Sequence, residues 1–104
     1  MAISPTQNTL KRLRGDGCLA AVVEHWNSHA RIRQDLFGII DILAVCGSET
    51  IAVQCTSYSN VSARIKKMEE SDAIGKLREA GWTILVHGWH KKKNRWQCRE
   101  VDIS

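Results

Sequence analysis

Ile39-Ile-Asp-Ile-Leu-Ala-Val-Cys-Gly-Ser-Glu-Thr-Ile-Ala-Val-Gln-Cys-Thr56 decides the fold. Two apolar runs, Ile39 to Cys46 and Ile51 to Thr56, flank Gly47-Ser48, and that arrangement predicts a β-hairpin. The turn sets Cys46 against Glu49. Counting back along both strands then brings Asp41 directly opposite Gln54. Directly opposed residues project from one face of a sheet. Alternation keeps Thr56 on that face with Gln54 and turns Ile51, Val53 and Cys55 to the other. The one acidic residue of an otherwise apolar strand is thus set beside a polar pair. A carboxylate in such a place is costly unless something compensates it. A divalent cation is one compensation and a hydrogen-bond network is another.

Outward from the hairpin, the elements alternate in type. Thr6 to Arg14 reads as a helix behind Pro5, with Leu10 and Leu13 on one side, the basic Lys11, Arg12 and Arg14 on the other, and Gly15 and Gly17 closing it. Leu19 to Trp26 reads as a first strand and Arg31 to Gly38 as a basic connector. Beyond the hairpin, Ser57 to Asn60 offers caps for a helix from Val61 to about Glu70, and Ser71 caps a second helical stretch ending before Gly81. Trp82 to Trp89 has the apolar character of a buried central strand. Lys91 to Arg95 is a polar turn, and Trp96 to Ile103 a last strand. The order is α-β-β-β-α-β-β, an α/β class with a mixed central sheet flanked by helices, in a single domain over residues 1–104.

Composition narrows the function classes. With 43% hydrophobic and 25% charged residues, the chain is that of a globular protein and not a disordered one. Fifteen Lys and Arg against eleven Asp and Glu leave a net charge of +4, which favours polyanionic partners. Cys18, Cys46, Cys55 and Cys98 contain no C-x-x-C pair, and three of them fall in apolar strand-like runs. The expectation is reduced thiols rather than a zinc site. Met1-Ala-Ile-Ser-Pro5 has no signal-peptide pattern and no apolar run reaches membrane-spanning length, so a soluble, cytoplasmic protein is expected.

Asp41 on one hairpin strand and Gln54-Cys55-Thr56 on the next, followed by a helix, resemble the PD-(D/E)xK signature of a nuclease superfamily that includes Holliday-junction resolvases and restriction endonucleases. The element order resembles that family's αβββαβ core over roughly residues 5 to 90. Arg33 to Asp41, Val53 to Ser57 and a late His87-Gly-Trp89 also look like small phage and bacterial resolvase-like proteins. The resemblance implies that Asp41 binds Mg²⁺ (or Mn²⁺), that Gln54 supplies a second metal oxygen, and that Thr56 stands where a lysine usually activates water. Gln replaces the family's Glu or Asp, and Thr replaces its Lys. An amide oxygen can ligate Mg²⁺ without adding charge. An earlier acid usually completes the family's site, for which Glu24 is the first candidate and Asp35 the second. Glu24 in a salt bridge and Asp35 as a turn residue are the plainer readings. The missing cation is sought on the following helix, among Arg64, Lys66 and Lys67, a cluster that is equally readable as solvated or DNA-facing surface.

The implied activity is metal-assisted hydrolysis of a DNA phosphodiester, by a homodimer as in resolvases. Arg31, Arg33, Arg64, Lys67, Lys91, Lys92, Lys93 and Arg95 are the expected phosphate contacts. Trp26, Trp82, Trp89 and Trp96 read mainly as core packing, with base stacking as the other option. His25, His29, His87 and His90 lack metal-ligand spacing and read as structural or DNA-contacting. A non-catalytic DNA-binding module on the same fold, and a protein-interaction domain, are the competing functions.

Overall fold

A computed structural model describes residues 4–104. Met1 to Ile3, part of the segment read above for a targeting pattern, lie outside the described residues. The central sheet has five strands in the order β1 (Leu19–Val22), β4 (Ile42–Cys46), β5 (Glu49–Ser57), β6 (Thr83–Lys92) and β7 (Arg95–Asp102). β5 and β6 run parallel and the other neighbours antiparallel, so the sheet is mixed. The class is α/β, as expected.

The β4–β5 register follows the sequence reading: Cys46 pairs with Glu49 and Ile42 with Val53, and the hairpin turns at Gly47. Alternation along β5 then sorts the core into two layers. Ala52 joins Ile39, Ile40, Val61, Met68, Ile74, Leu77, Ile84 and Val86 under α2 (Val61–Glu69) and α3 (Ile74–Glu79). Val53 and Cys55 join Leu10, Leu13, Ala20, Ile42, Ala44 and Leu85 under α1 (Pro5–Gly15). Ser4 caps α1 by accepting from the Gln7 amide at 3.2 Å, and Pro5 opens it where no amide hydrogen is needed. At Gly88 on β6 a Cβ would run into Val61 Cγ2, so the missing side chain is what lets α2 begin against the sheet.

A polar chain anchors α1 to the sheet. Trp89 Nε1 donates to Thr9 Oγ1 at 2.8 Å, Thr9 Oγ1 meets His87 Nδ1 at 3.1 Å, and His87 Nε2 meets Glu100 Oε2 at 2.8 Å. The Glu100 carboxylate only accepts, so His87 carries its proton on Nε2 and takes the threonine hydroxyl proton at Nδ1. Burial pushes the His87 pKa below its ordinary value, against the pull of Glu100, and keeps the ring neutral.

Two expectations need correction here. The run Leu19 to Trp26 is not one strand. It leaves the sheet after Val22, Val23 N donates to Asp41 O at 2.8 Å, and β2 (His25–Asn27) pairs instead with β3 (Ile32–Gln34). The stretch from Arg31 to Gly38 is therefore no plain connector but half of a two-stranded ribbon ending in a tight Asp35–Gly38 turn. The cysteines are not all reduced. Cys18 and Cys46 form a disulfide, because each extends the β1–β4 ladder by one residue and they face each other across it, Cα to Cα 4.6 Å. Cys55 and Cys98 are free, and burial pushes the Cys55 thiol up to about 12. No helix among the described residues is long and apolar enough to cross a membrane.

The bridge closes a sequence separation of 28 residues and is expected to contribute about 3–4 kcal/mol by restricting the unfolded chain. Thiol titration in denaturant should count two reactive groups per chain before reduction and four after it. Four from the start would mean the bridge does not form.

Candidate metal centre

The hairpin carries Asp41 into the interior, where 4% of its surface is exposed, opposite Gln54 at 1%, with Thr56 at 5% two residues beyond Gln54 on the same strand. Its carboxylate has a definite job. At Ile40 the chain stops following β5 and bridges to Leu36, with amide-to-carbonyl bonds of 2.9 and 3.0 Å. The Cys55 amide, next along β5, is thereby left to the Asp41 side chain and donates to Oδ2 at 2.8 Å. Gln54 Nε2 donates to the same oxygen at 2.6 Å. The sequence reading placed Asp41 and Gln54 on one face, and the structure does so.

Two further acids converge there. Glu24, just after the chain leaves the sheet, and Asp35, at the end of the ribbon, each bring an oxygen into a set with Asp41 in which all lie within 4.8 Å of one another. Glu24 also accepts from Arg33 at 3.2 Å, so it makes the expected salt bridge while standing among the clustered acids. Asp35 belongs to the cluster rather than serving only as a turn residue. Three carboxylates this close cannot all be ionised cheaply. The Asp41 pKa is raised to about 7, by burial above all, then by Asp35 and Glu24, against the lowering influence of the Cys55 amide.

Beside the acids lies a cleft of about 510 Å³ lined by Arg33, Gln34, Asp35, Gly38, Arg64 and Lys67. Of the expected cations, Arg33, Arg64 and Lys67 are therefore brought to the site. Lys66 is exposed and is not among the residues that line the cleft. The signal was in the sequence: Val61, Ile65 and Met68 mark the buried stripe of α2, and at 100° per residue Arg64 and Lys67 fall on one flank and Lys66 on the other. Arg31 is exposed in the turn of the ribbon, in left-handed backbone. Lys91, Lys92, Lys93 and Arg95 are exposed around the β6–β7 hairpin, and Lys92 lies six residues along β6 from Val86, the partner of Gln54. They form a separate patch, about 20 Å along the strand from the acids. Of the tryptophans, Trp82 and Trp89 are half-buried, whereas Trp26 is exposed, against the expectation of core packing. His87 proves structural.

The acids fit a divalent cation. Hard oxygen ligands, several of them anionic, are what Mg²⁺ or Mn²⁺ takes, and a cation would relieve the repulsion that a proton now relieves. Gln54 Oε1 supports the fit, since it is buried and has no hydrogen-bond partner. Turning the amide over exchanges its two ends and brings Oε1 toward Asp41, an approach of two oxygens that a cation between them makes favourable. No protein-family model, curated protein or solved structure matches the chain.

The raised Asp41 pKa sets a pH dependence. The folded chain holds this proton up to about pH 7, while the unfolded chain gives it up near 3.8, so stability from this residue is full below 3.8 and lost as the pH rises through 7. Asp41→Asn keeps an acceptor for the Cys55 and Gln54 donors and adds no charge. Its melting temperature should match the parent's near pH 4 and exceed it at pH 8, by several degrees. An offset between the two proteins that does not change with pH would refute the raised Asp41 pKa.

Proposed function

We propose that the chain is a divalent-metal-dependent DNA endonuclease of the PD-(D/E)xK kind. One observation carries the reading: a cluster of three carboxylates opens beside a cleft walled by Arg33, Arg64 and Lys67. Anionic ligands for a metal next to cations for phosphate are what a phosphodiester substrate requires. The element order supports it, since with the β2–β3 ribbon set aside as an insertion the chain runs α1, β1, β4, β5, α2–α3, β6, the αβββαβ sequence of the restriction-endonuclease-like core.

In this reading Asp41, Glu24, Asp35 and the Gln54 amide oxygen hold Mg²⁺ or Mn²⁺. The ion supplies charge neutralisation at the scissile phosphate and a more acidic bound water. Arg64 and Lys67, from one flank of α2, grip phosphate oxygens and stand in for the cation that Thr56 cannot provide. Arg33 is 66% exposed at its side chain although its partner Glu24 is only 19% exposed, so the guanidinium stands where it can reach the backbone of the substrate. Thr56 offers a hydroxyl on the same face. A second reading, a DNA-binding module without catalysis, is favoured by the Gln54–Asp41 hydrogen bond, which satisfies the buried acid with no metal at all.

Nicking of supercoiled plasmid in Mg²⁺ or Mn²⁺ separates the two. The parent should cleave and gain thermal stability with Mn²⁺, more at pH 8 than at pH 6, because the ion displaces the proton of Asp41. Asp41→Asn should lose both responses while keeping its DNA affinity, which resides in the cations. A parent with neither cleavage nor a metal-dependent shift leaves the non-catalytic module as the function.

The distant hairpin makes an independent prediction. Replacing Lys91, Lys92 and Lys93 by Ala should weaken DNA binding alike for all sequences and reduce the slope of log affinity against log salt by about 0.9 for each phosphate no longer neutralised. An unchanged slope would assign the hairpin to solvated surface.

A further inference from the structure

The rings nearest the cleft are left in water. Trp26 keeps 60% of its surface exposed and Phe37 keeps 56%. Trp26 lies directly opposite Arg33 in the ribbon, so the two share a face, and Arg33 both lines the cleft and reaches Glu24. Phe37 stands in the turn between Asp35 and Gly38, which line the same cleft. It does so at φ +54°, in left-handed backbone that disfavours a bulky side chain. Its aromatic neighbour is Trp82, at 6.4 Å between ring centres and tilted by 46°. Neither ring belongs to either core layer. A strained, solvent-facing aromatic in the turn that delivers a site acid is a feature folding alone does not call for.

Resting on the nuclease reading above, we propose that Trp26 and Phe37 are stacking platforms for bases that have left the duplex, so that the cleft takes DNA with unpaired nucleotides at the point of attack. In continuous duplex the base faces are covered by their neighbours, and a protein meets edges and phosphates. A ring standing beside the phosphate path finds a π-face only where the strand is open, as in a single strand, a flap or a branch point. Arg33, Arg64 and Lys67 supply that path, since they line the cleft the two rings flank. The same charges argue against a second copy of this chain as the occupant. A two-fold contact through Trp26 would bring the cationic patches of both protomers together.

The test is fluorescence anisotropy in EDTA, with a labelled fifteen-nucleotide thymidine oligomer and a blunt duplex of the same length. The parent should bind the single strand at least about tenfold more tightly than the duplex, and Trp26→Ala should lose about 5- to 100-fold on the single strand. Duplex affinity and melting temperature should stay put, because the ring is exposed. Trp26→Phe should recover most of the loss, and Phe37→Ala should weaken the single strand in the same sense. Equal losses on both DNAs would overturn the stacking role. So would a dimer that Trp26→Ala splits without changing single-strand affinity, which would make the ring a protomer contact. A parent that binds both DNAs equally ends this inference and leaves the nuclease reading standing, whereas one that binds neither ends both.

Discussion

Everything near the cleft hangs on the attachments of one residue. Asp41 N donates to Val53 O, Asp41 O accepts from Val23 N, and the carboxylate accepts from Gln54 Nε2 and the Cys55 amide. Main chain and side chain together bind three separate segments: β5, the end of β1 and the start of β4. The Val23 bond fixes where the chain departs from the sheet, hence where Glu24 stands. The bridge from Ile40 to Leu36 fixes the turn that brings Asp35 back. The acids meet because the backbone around Asp41 is tied down first, and their mutual repulsion is borne by that frame.

The parts of this arrangement that were legible in the sequence are those governed by local rules. A two-residue turn and a side-chain period of two fix a hairpin register, which is why the order of residues alone sets Asp41, Gln54 and Thr56 on one face. Helices α1 and α2 were legible from Pro5 and from apolar spacing, although the side-chain caps expected for α2 from Ser57 to Asn60 do not form. What escaped depends on pairing between distant or very short segments. Strands of three residues, as in β2 and β3, carry no readable periodicity, so the break at Val23-Glu24 and the approach of Asp35 were hidden. The Cys18–Cys46 bridge needs the β1–β4 register, which nothing local encodes. The separation of Lys66 from Arg64 and Lys67 around α2 was readable as well, from the phase that Val61, Ile65 and Met68 set.

Successive residues of β5 serve opposite ends. Gln54 faces the acids and Cys55 faces the layer beneath α1, so the strand that holds the candidate centre also forms the floor of the second core. The two faces treat their polar groups differently. Under α1 every proton of the Trp89–Thr9–His87–Glu100 chain has an assigned acceptor, and the neighbouring Asn8 Nδ2 is the buried donor left without one. On the other face Gln54 Oε1 has no donor and Asp41 holds a proton into the neutral range. A saturated network makes for rigidity, while an unsaturated one is where ligands and protons can exchange.

The Thr9–His87 bond, which joins residues 78 apart, also orders events in time. As the chain leaves the ribosome, α1 emerges well before β6 and β7, so the partners of Thr9 do not yet exist. Leu10 and Leu13 can already be covered by Ala20, Ile42, Ala44, Val53 and Cys55 from β1, β4 and β5, whereas Thr9 stays unpartnered until β6 arrives. Loop-closure cost grows only slowly with length, so this late bond completes the docking of α1 that the apolar contacts begin. A partial chain lacking β6 would leave the long strand β5 as an unpaired edge, which makes the interval of synthesis the time at which this protein is most exposed to aggregation.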